Sequence, residues 1–294
     1  MGEVVSFCNQ KGGTAKTTTV VNLAAYLALS GKKVLLVDAD PQGNASSGFG
    51  IDKDELTCTI YDVLIGSVSY DKAALSTAIK GLDVIPANTN LAAAEVELVT
   101  QRDREQFMKK ALVKARDVYD FIVIDAPPSL GILTINILCA SDSVVVPIQC
   151  EYYALEGVSR LVHTLDMVKE RLNEKLVIKG ILMTMADFRT RLTIQVIEEV
   201  RGFFKDKVYE TVIPRNVRLS EAPSFGKPVY LYDKNSIGAK AYFKFACEFL
   251  KEEIKGVYDA KDGSGERAGF ADTEKDTDAR KLAGAGSDQR IFVY

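Results

Sequence analysis

Apolar positions along this chain fall into two alternating rhythms. Short, nearly continuous runs occur at Val4 to Phe7 (VVSF), Val34 to Val37 (VLLV), Leu82 to Ile85 (LDVI), Phe121 to Ile124 (FIVI), Ser143 to Val146 (SVVV) and Ile178 to Met183 (IKGILM). Runs of that length suit strands buried on both faces. Between them lie stretches with helical spacing. Thr17 to Leu29 places Val20, Leu23, Ala24 and Leu27 on one face and is closed by Gly31. Leu155 to Leu172 repeats the pattern with Leu155, Val158, Leu161, Val162, Leu165 and Val168. Strands alternating with helices predict an α/β fold: a doubly wound, mostly parallel sheet with helices on both faces. In such a sheet ligands bind beyond the carboxyl ends of the strands.

Composition narrows the class. A chain of 294 residues, 47% hydrophobic and 26% charged, can bury one good core without covalent staples. The five cysteines, Cys8, Cys58, Cys139, Cys150 and Cys247, are scattered and never spaced CxxC, which argues against a disulfide framework or a zinc site. No basic leader and no run of about 18 apolar residues is present, so a cytoplasmic protein with no membrane contact is expected. With net charge −3, any contact with nucleic acid must come from a local patch. From residue 256 the texture changes to eight Asp or Glu, six Lys or Arg and many Gly and Ala. The expected organisation is a folded domain over 1–255 and a flexible tail over 256–294.

Residues 9 to 19 read NQKGGTAKTTT, between an apolar strand and a helix. The usual phosphate loop, GxxxxGK[ST], would need glycine where this chain has Gln10 and Ala15. The position is nonetheless right: backbone amides of Gly12, Gly13, Thr14, Ala15, Lys16, Thr17 and Thr18 can cradle phosphate oxygens at the helix's positive end. Lys16 then reaches the β and γ phosphates, and the Thr17 hydroxyl is placed to ligate Mg²⁺. Lys11 supplies a second cation on the outer turn, better able to point across to a neighbouring molecule's phosphates than back to its own. Asp38 and Asp40 close one strand (VDADPQGN) and Asp125 another (IDAPPSLG). Asp125 is the expected outer partner of Mg²⁺ and Asp38 a further candidate, while Asp40 is better placed to orient a water for in-line attack.

The blocks KGGTAKTTT, VDADPQGN, IDAPPSLG, TMADFRTRL and IPRNVRLSEAPSFGKPV, in that order, resemble the ParA/Soj partition ATPases within the deviant Walker A group that includes MinD. The likeness covers roughly residues 1 to 255. It implies a P-loop fold, Mg-ATP as ligand and an ATP-dependent sandwich homodimer in which Lys11 touches the partner's phosphates. It further implies sequence-independent binding to double-stranded DNA, release by a ParB-type partner that stimulates hydrolysis, and residence on the nucleoid. By the same likeness Pro214 and Asn216 lie at the adenine end, and Arg189 and Arg218 contribute to the DNA surface. Read without it, residues 186 to 218 carry seven Lys or Arg against five Asp or Glu, a weak patch unless dimerisation doubles it.

The chain departs from the family at Ala15, where most members have Gly. A methyl there costs little at negative φ but roughly 1 kcal/mol or more at positive φ. ATP binding is expected to survive, with slow turnover. His163 reads as structural, Cys139 and Cys150 do not match a cluster-binding relative, and Ser129 lacks a GxSxG elbow. A MinD-like membrane-cycling ATPase should end in a basic amphipathic helix, which this chain lacks. A ligase-type relative should show a distinct substrate pocket, for which the sequence offers no candidate.

Overall fold

Every apolar run identified above becomes a strand of one sheet in the computed structural model, which describes residues 1–152 and 154–258, with the backbone alone at 155–157. The strands are β1 (Glu3–Phe7), β2 (Val34–Asp38), β3 (Leu75–Ser76), β4 (Leu82–Ile85), β5 (Phe121–Asp125), β6 (Ser143–Gln149), β7 (Val177–Ala186) and β8 (Val208–Pro214). The helices are α1 (Lys16–Leu29), α2 (Asn44–Ser47), α3 (Ile60–Leu64), α4 (Tyr70–Ala73), α5 (Leu91–Val99) and α6 (Phe107–Leu112). They continue with α7 (Ile132–Ala140), α8 (Ala154–Arg171), α9 (Arg191–Phe204), α10 (Val217–Glu221), α11 (Val229–Asp233) and α12 (Ile237–Leu250).

Strand order is β3-β4-β2-β5-β1-β6-β7-β8, parallel except for the short antiparallel β3 at one edge. The order reverses about β1, which pairs with β5 on one side and β6 on the other. That reversal is the topological switch point where doubly wound sheets take their ligands. Side chains alternate between two buried faces. Leu35, Val37, Ile122, Ile124, Val144 and Val146 join a core with Leu91, Leu133, Ile137, Leu161 and Leu165. Their neighbours Leu36, Val123 and Val145 are equally buried on the opposite face, where α1 lies on β2, β4 and β5. Two-sided burial explains why these strands read as continuous apolar runs.

Two elements hold the far half in place. Helix α12 packs on α1 through Tyr26, whose hydroxyl donates to the Ala239 carbonyl at 2.8 Å, and through Tyr242, 3.0 Å from the Thr19 hydroxyl. It also closes the open edge of β8, because the Glu248 carboxylate accepts the Glu210 and Thr211 amides at 2.6 and 2.9 Å. Within SFGKPV, Gly226 has φ +61°, and a Cβ there would lie 2.5 Å from Cα of Gly50. Only glycine permits that approach of two backbones.

Met1 to Val257 form one compact unit. Of the tail expected over 256–294, residues 259–294 lie outside the described residues. Among the described residues no helix is long and apolar enough to cross a membrane. All five cysteines are free; Cys8, Cys139 and Cys150 are buried, and Cys58 and Cys247 partly so. His163 is exposed on α8, a solvated surface residue without a core role.

Candidate phosphate-binding site

The parallel register aligns the carboxyl ends of three central strands: Phe7 pairs with Asp125, and Asp125 with Asp38. The loop from β1 to α1 rises from this edge. Asn9 anchors its start, accepting the Lys11 amide at 3.0 Å and donating to the Pro147 carbonyl at 2.7 Å. Gly13 has φ +75°, as the tight bend requires. Lys16 opens α1 with its side chain buried in the loop, its ammonium 3.4 Å from the Lys11 carbonyl. Burial lowers the Lys16 pKa, and the nearby Asp125, Cys8 and Asp40 oppose the shift. Lys16 and Thr17 are the first two residues of α1, directly after the loop.

Ala15 has φ +61° and ψ +30°, the left-handed conformation. Of the two possibilities open for this residue, the structure has the costly one, roughly 1 kcal/mol above glycine. It precedes a 14-residue helix whose first turn carries no side-chain cap and no acidic residue, so its free amides face the loop.

Below the loop lie the carboxylates. Asp38 and Asp125 are fully buried. Asp38 accepts the Ser46 amide at 2.8 Å and hydroxyl at 2.7 Å, yet burial still pushes its pKa up to about 6. Both oxygens of Asp125 are buried with no hydrogen-bond partner. Its pKa stands well above the ordinary value, first through burial and then through Asp38, with the nearby Thr17 hydroxyl and Lys16 pulling the other way. A buried carboxylate left without partners costs several kcal/mol unless a cation compensates it. Among the described residues no cluster of three or more His, Cys, Asp or Glu could enclose a metal. The donor set of one hydroxyl and two carboxylates instead fits Mg²⁺, which keeps waters and takes further oxygens from substrate phosphates.

Asp40 is also buried, and holds its turn by accepting the Gln42 amide at 2.9 Å. Lys11 is half exposed and its ammonium lies 2.6 Å from Glu151, just beyond β6. Asn9 and Thr184 lie in stretches already singled out, NQKGGTAKTTT and TMADFRTRL, but their contacts with Pro147 and Thr14, like that of Glu151 with Lys11, join residues far apart along the chain and have no local signal.

The outlying candidates sit apart from this cluster. Pro214 ends β8 beside Ala186 of β7, and Asn216 follows with its side-chain oxygen buried and unpartnered. A cavity of 270 Å³ beside the first turn of α1 is lined by Thr17, Thr18, Asn22, Ser47, Leu219 and Lys227 among others, but by neither Pro214 nor Asn216. Arg189 is 86% exposed and pairs with Asp187 at 2.6 Å; Arg218 pairs with Glu221 at 2.8 Å and Asp233 at 3.4 Å.

Residues 2–178 match the family model described as an AAA domain. Over 248 residues the chain is 57% identical to the sporulation initiation inhibitor protein Soj of Bacillus subtilis, covering 84% of this chain and 98% of that one. The chain belongs to the ParA/Soj family. It is also 52% identical over 253 residues to the chromosome partitioning protein ParA of Myxococcus xanthus, 86% of this chain and 89% of that one. Among solved structures, cobyrinic acid a,c-diamide synthase from Mycobacterium smegmatis with bound ADP and magnesium superposes with a TM-score of 0.75 at 38% identity, covering 85% of this chain and 95% of the other. The family's P-loop ATPase fold thus accounts for the strand order, and two relatives at half identity or better, from Myxococcus xanthus and Treponema pallidum, are chromosome partitioning proteins.

Proposed function

We propose that this protein is an ATP-driven DNA-segregation switch. Mg-ATP binds on the loop from Gly12 to Thr18, two copies close face to face, and the dimer holds double-stranded DNA without regard to sequence. A ParB-type partner then stimulates hydrolysis and the dimer lets go. The observation that carries this reading is the buried, unpartnered Asp125 beside Asp38, Lys16 and Thr17, an arrangement that makes physical sense around a magnesium nucleotide.

Each residue has its work. Thr17 would hold the magnesium ion, with Asp125 and Asp38 behind it placed to orient its waters, and the ion would supply positive charge to offset the charge that develops on the phosphates. Lys16 supports the β and γ phosphates from within the loop. Lys11 leaves Glu151 and reaches the partner's phosphates. Asp40, on a turn fixed by the Gln42 amide, orients the attacking water. Asn216, with its free oxygen, and Pro214 receive the adenine. Arg189 and Arg218 exchange exposed carboxylates for DNA phosphates, and because both copies contribute, the ATP dimer binds far better than a monomer.

Identity over nearly the whole of Soj favours this reading over a small-molecule ligase, even though a synthase shares the fold at 38% identity. DNA retention measured side by side with ADP, with ATP, and with ATP at several salt concentrations tests the proposal. Retention with ATP only, falling steeply with salt, is the expected result. Equal retention in all nucleotide states would refute it.

A further inference from the structure

Thr184 lies on β7, far along the chain from the phosphate loop, and is completely buried. Its hydroxyl donates to the Thr14 carbonyl at 3.1 Å. Its backbone is fixed as well, because its carbonyl accepts the Cys150 amide at 3.1 Å and it pairs in register with Gln149 of β6. The donor is therefore held by the sheet itself.

The acceptor sits at the loop's most strained point. Thr14 is 1% exposed and precedes Ala15, whose φ of +61° is a conformation that alanine rarely adopts. A trans peptide sends its carbonyl and the following N–H in opposite directions. Fixing the Thr14 carbonyl on β7 therefore sends the Ala15 N–H away from the sheet, among the amides that open α1. If the carbonyl were released, alanine would gain by relaxing out of the left-handed region and the peptide plane would turn. Glycine would have no such incentive.

We infer that Thr184 is a positioning residue for nucleotide binding: its hydroxyl holds the Thr14–Ala15 peptide in the phosphate-receiving orientation and so compensates for alanine at position 15. This rests on the reading of residues 12–18 as the phosphate loop. A departure from the family pattern at Ala15 is thereby linked to a buried contact between residues 170 positions apart.

The test is a double-substitution cycle on the full chain, read as the affinity for fluorescently labelled ADP with Mg²⁺. Thr184→Val removes the hydroxyl at nearly constant volume. It should weaken ADP about tenfold with Ala15 in place, the worth of one buried hydrogen bond. In the Ala15→Gly background the same change should cost less than about threefold. Thr184→Ser should restore near wild-type affinity. Thr184→Ala removes the same hydroxyl without adding a methyl beside the carbonyl and must give the same pattern, which keeps the test usable should the valine variant fold poorly. A merely structural threonine would lower thermal stability and weaken ADP equally in both backgrounds, and that outcome overturns the inference, as does unchanged affinity in Thr184→Val. Absence of ADP binding in the wild-type protein would instead refute the phosphate-loop reading itself.

Discussion

Lys11 and Glu151 form an ion pair at 2.6 Å, and both side chains remain nearly half exposed. An exposed pair of this kind is worth at most about 1 kcal/mol, so the lysine is held loosely and a triphosphate's charge can take it. Lys11→Ala should leave ADP affinity and thermal stability close to wild type while eliminating ATP-dependent dimers. Calorimetry and sedimentation on the same preparation would separate the two effects. Loss of ADP binding would place Lys11 on its own nucleotide.

Asp125 makes the opposite prediction for stability. Its carboxylate is buried beside Asp38 with no well-formed hydrogen bond, and burial and Asp38 together outweigh the help of Thr17 and Lys16, so Asp125→Asn relieves a buried charge. The nucleotide-free protein should melt a few degrees higher, since ~1 kcal/mol shifts Tm by about 2–4 °C in a chain of this size. The same substitution should cut the Mg²⁺-dependent gain in nucleotide affinity by about tenfold or more. A lower Tm in EDTA would show that the carboxylate has a structural partner.

Asp40 should matter for turnover alone. Asp40→Ala is expected to slow hydrolysis by a factor on the order of 10²–10³, with ATP affinity changed by no more than a few-fold. The dimer should then persist on DNA. Single-turnover kinetics with labelled ATP would decide, and normal hydrolysis would remove Asp40 from its role.

Arg218 is tied to Glu221 and Asp233 on its own surface. Arg218→Glu reverses one charge per copy, so the ATP dimer should lose affinity for every DNA sequence alike. Two lost phosphate contacts per dimer lower the log–log salt slope by about 2. Basal ATPase should stay near wild type. Unchanged DNA retention would put the contact surface elsewhere.

Much of this was legible in the residues. Strands β2, β4 and β5 announced themselves because burial on both faces leaves no polar alternation to obscure them, and Lys16, Thr17, Asp38 and Asp125 converge because parallel register aligns strand ends. Strand β8 was not seen: it is an edge strand, only partly buried at Val208 and Tyr209, so its apolar run is broken. Antiparallel β3 is two exposed residues and had no pattern to read. The conformation of Ala15 could be posed as a question but not answered, because φ depends on the peptide plane that Thr184 fixes from across the sheet. Asp187 and Glu221 lie two and three residues from Arg189 and Arg218, so those pairs are local, whereas Asp233 reaches Arg218 only through the fold.

A bound triphosphate is proposed to join two copies of this chain. Sedimentation velocity of the purified protein, saturated with Mg²⁺ and a non-hydrolysable ATP analogue, decides the matter. A dimer with the analogue and a monomer with ADP are expected; a monomer in both would refute the switch.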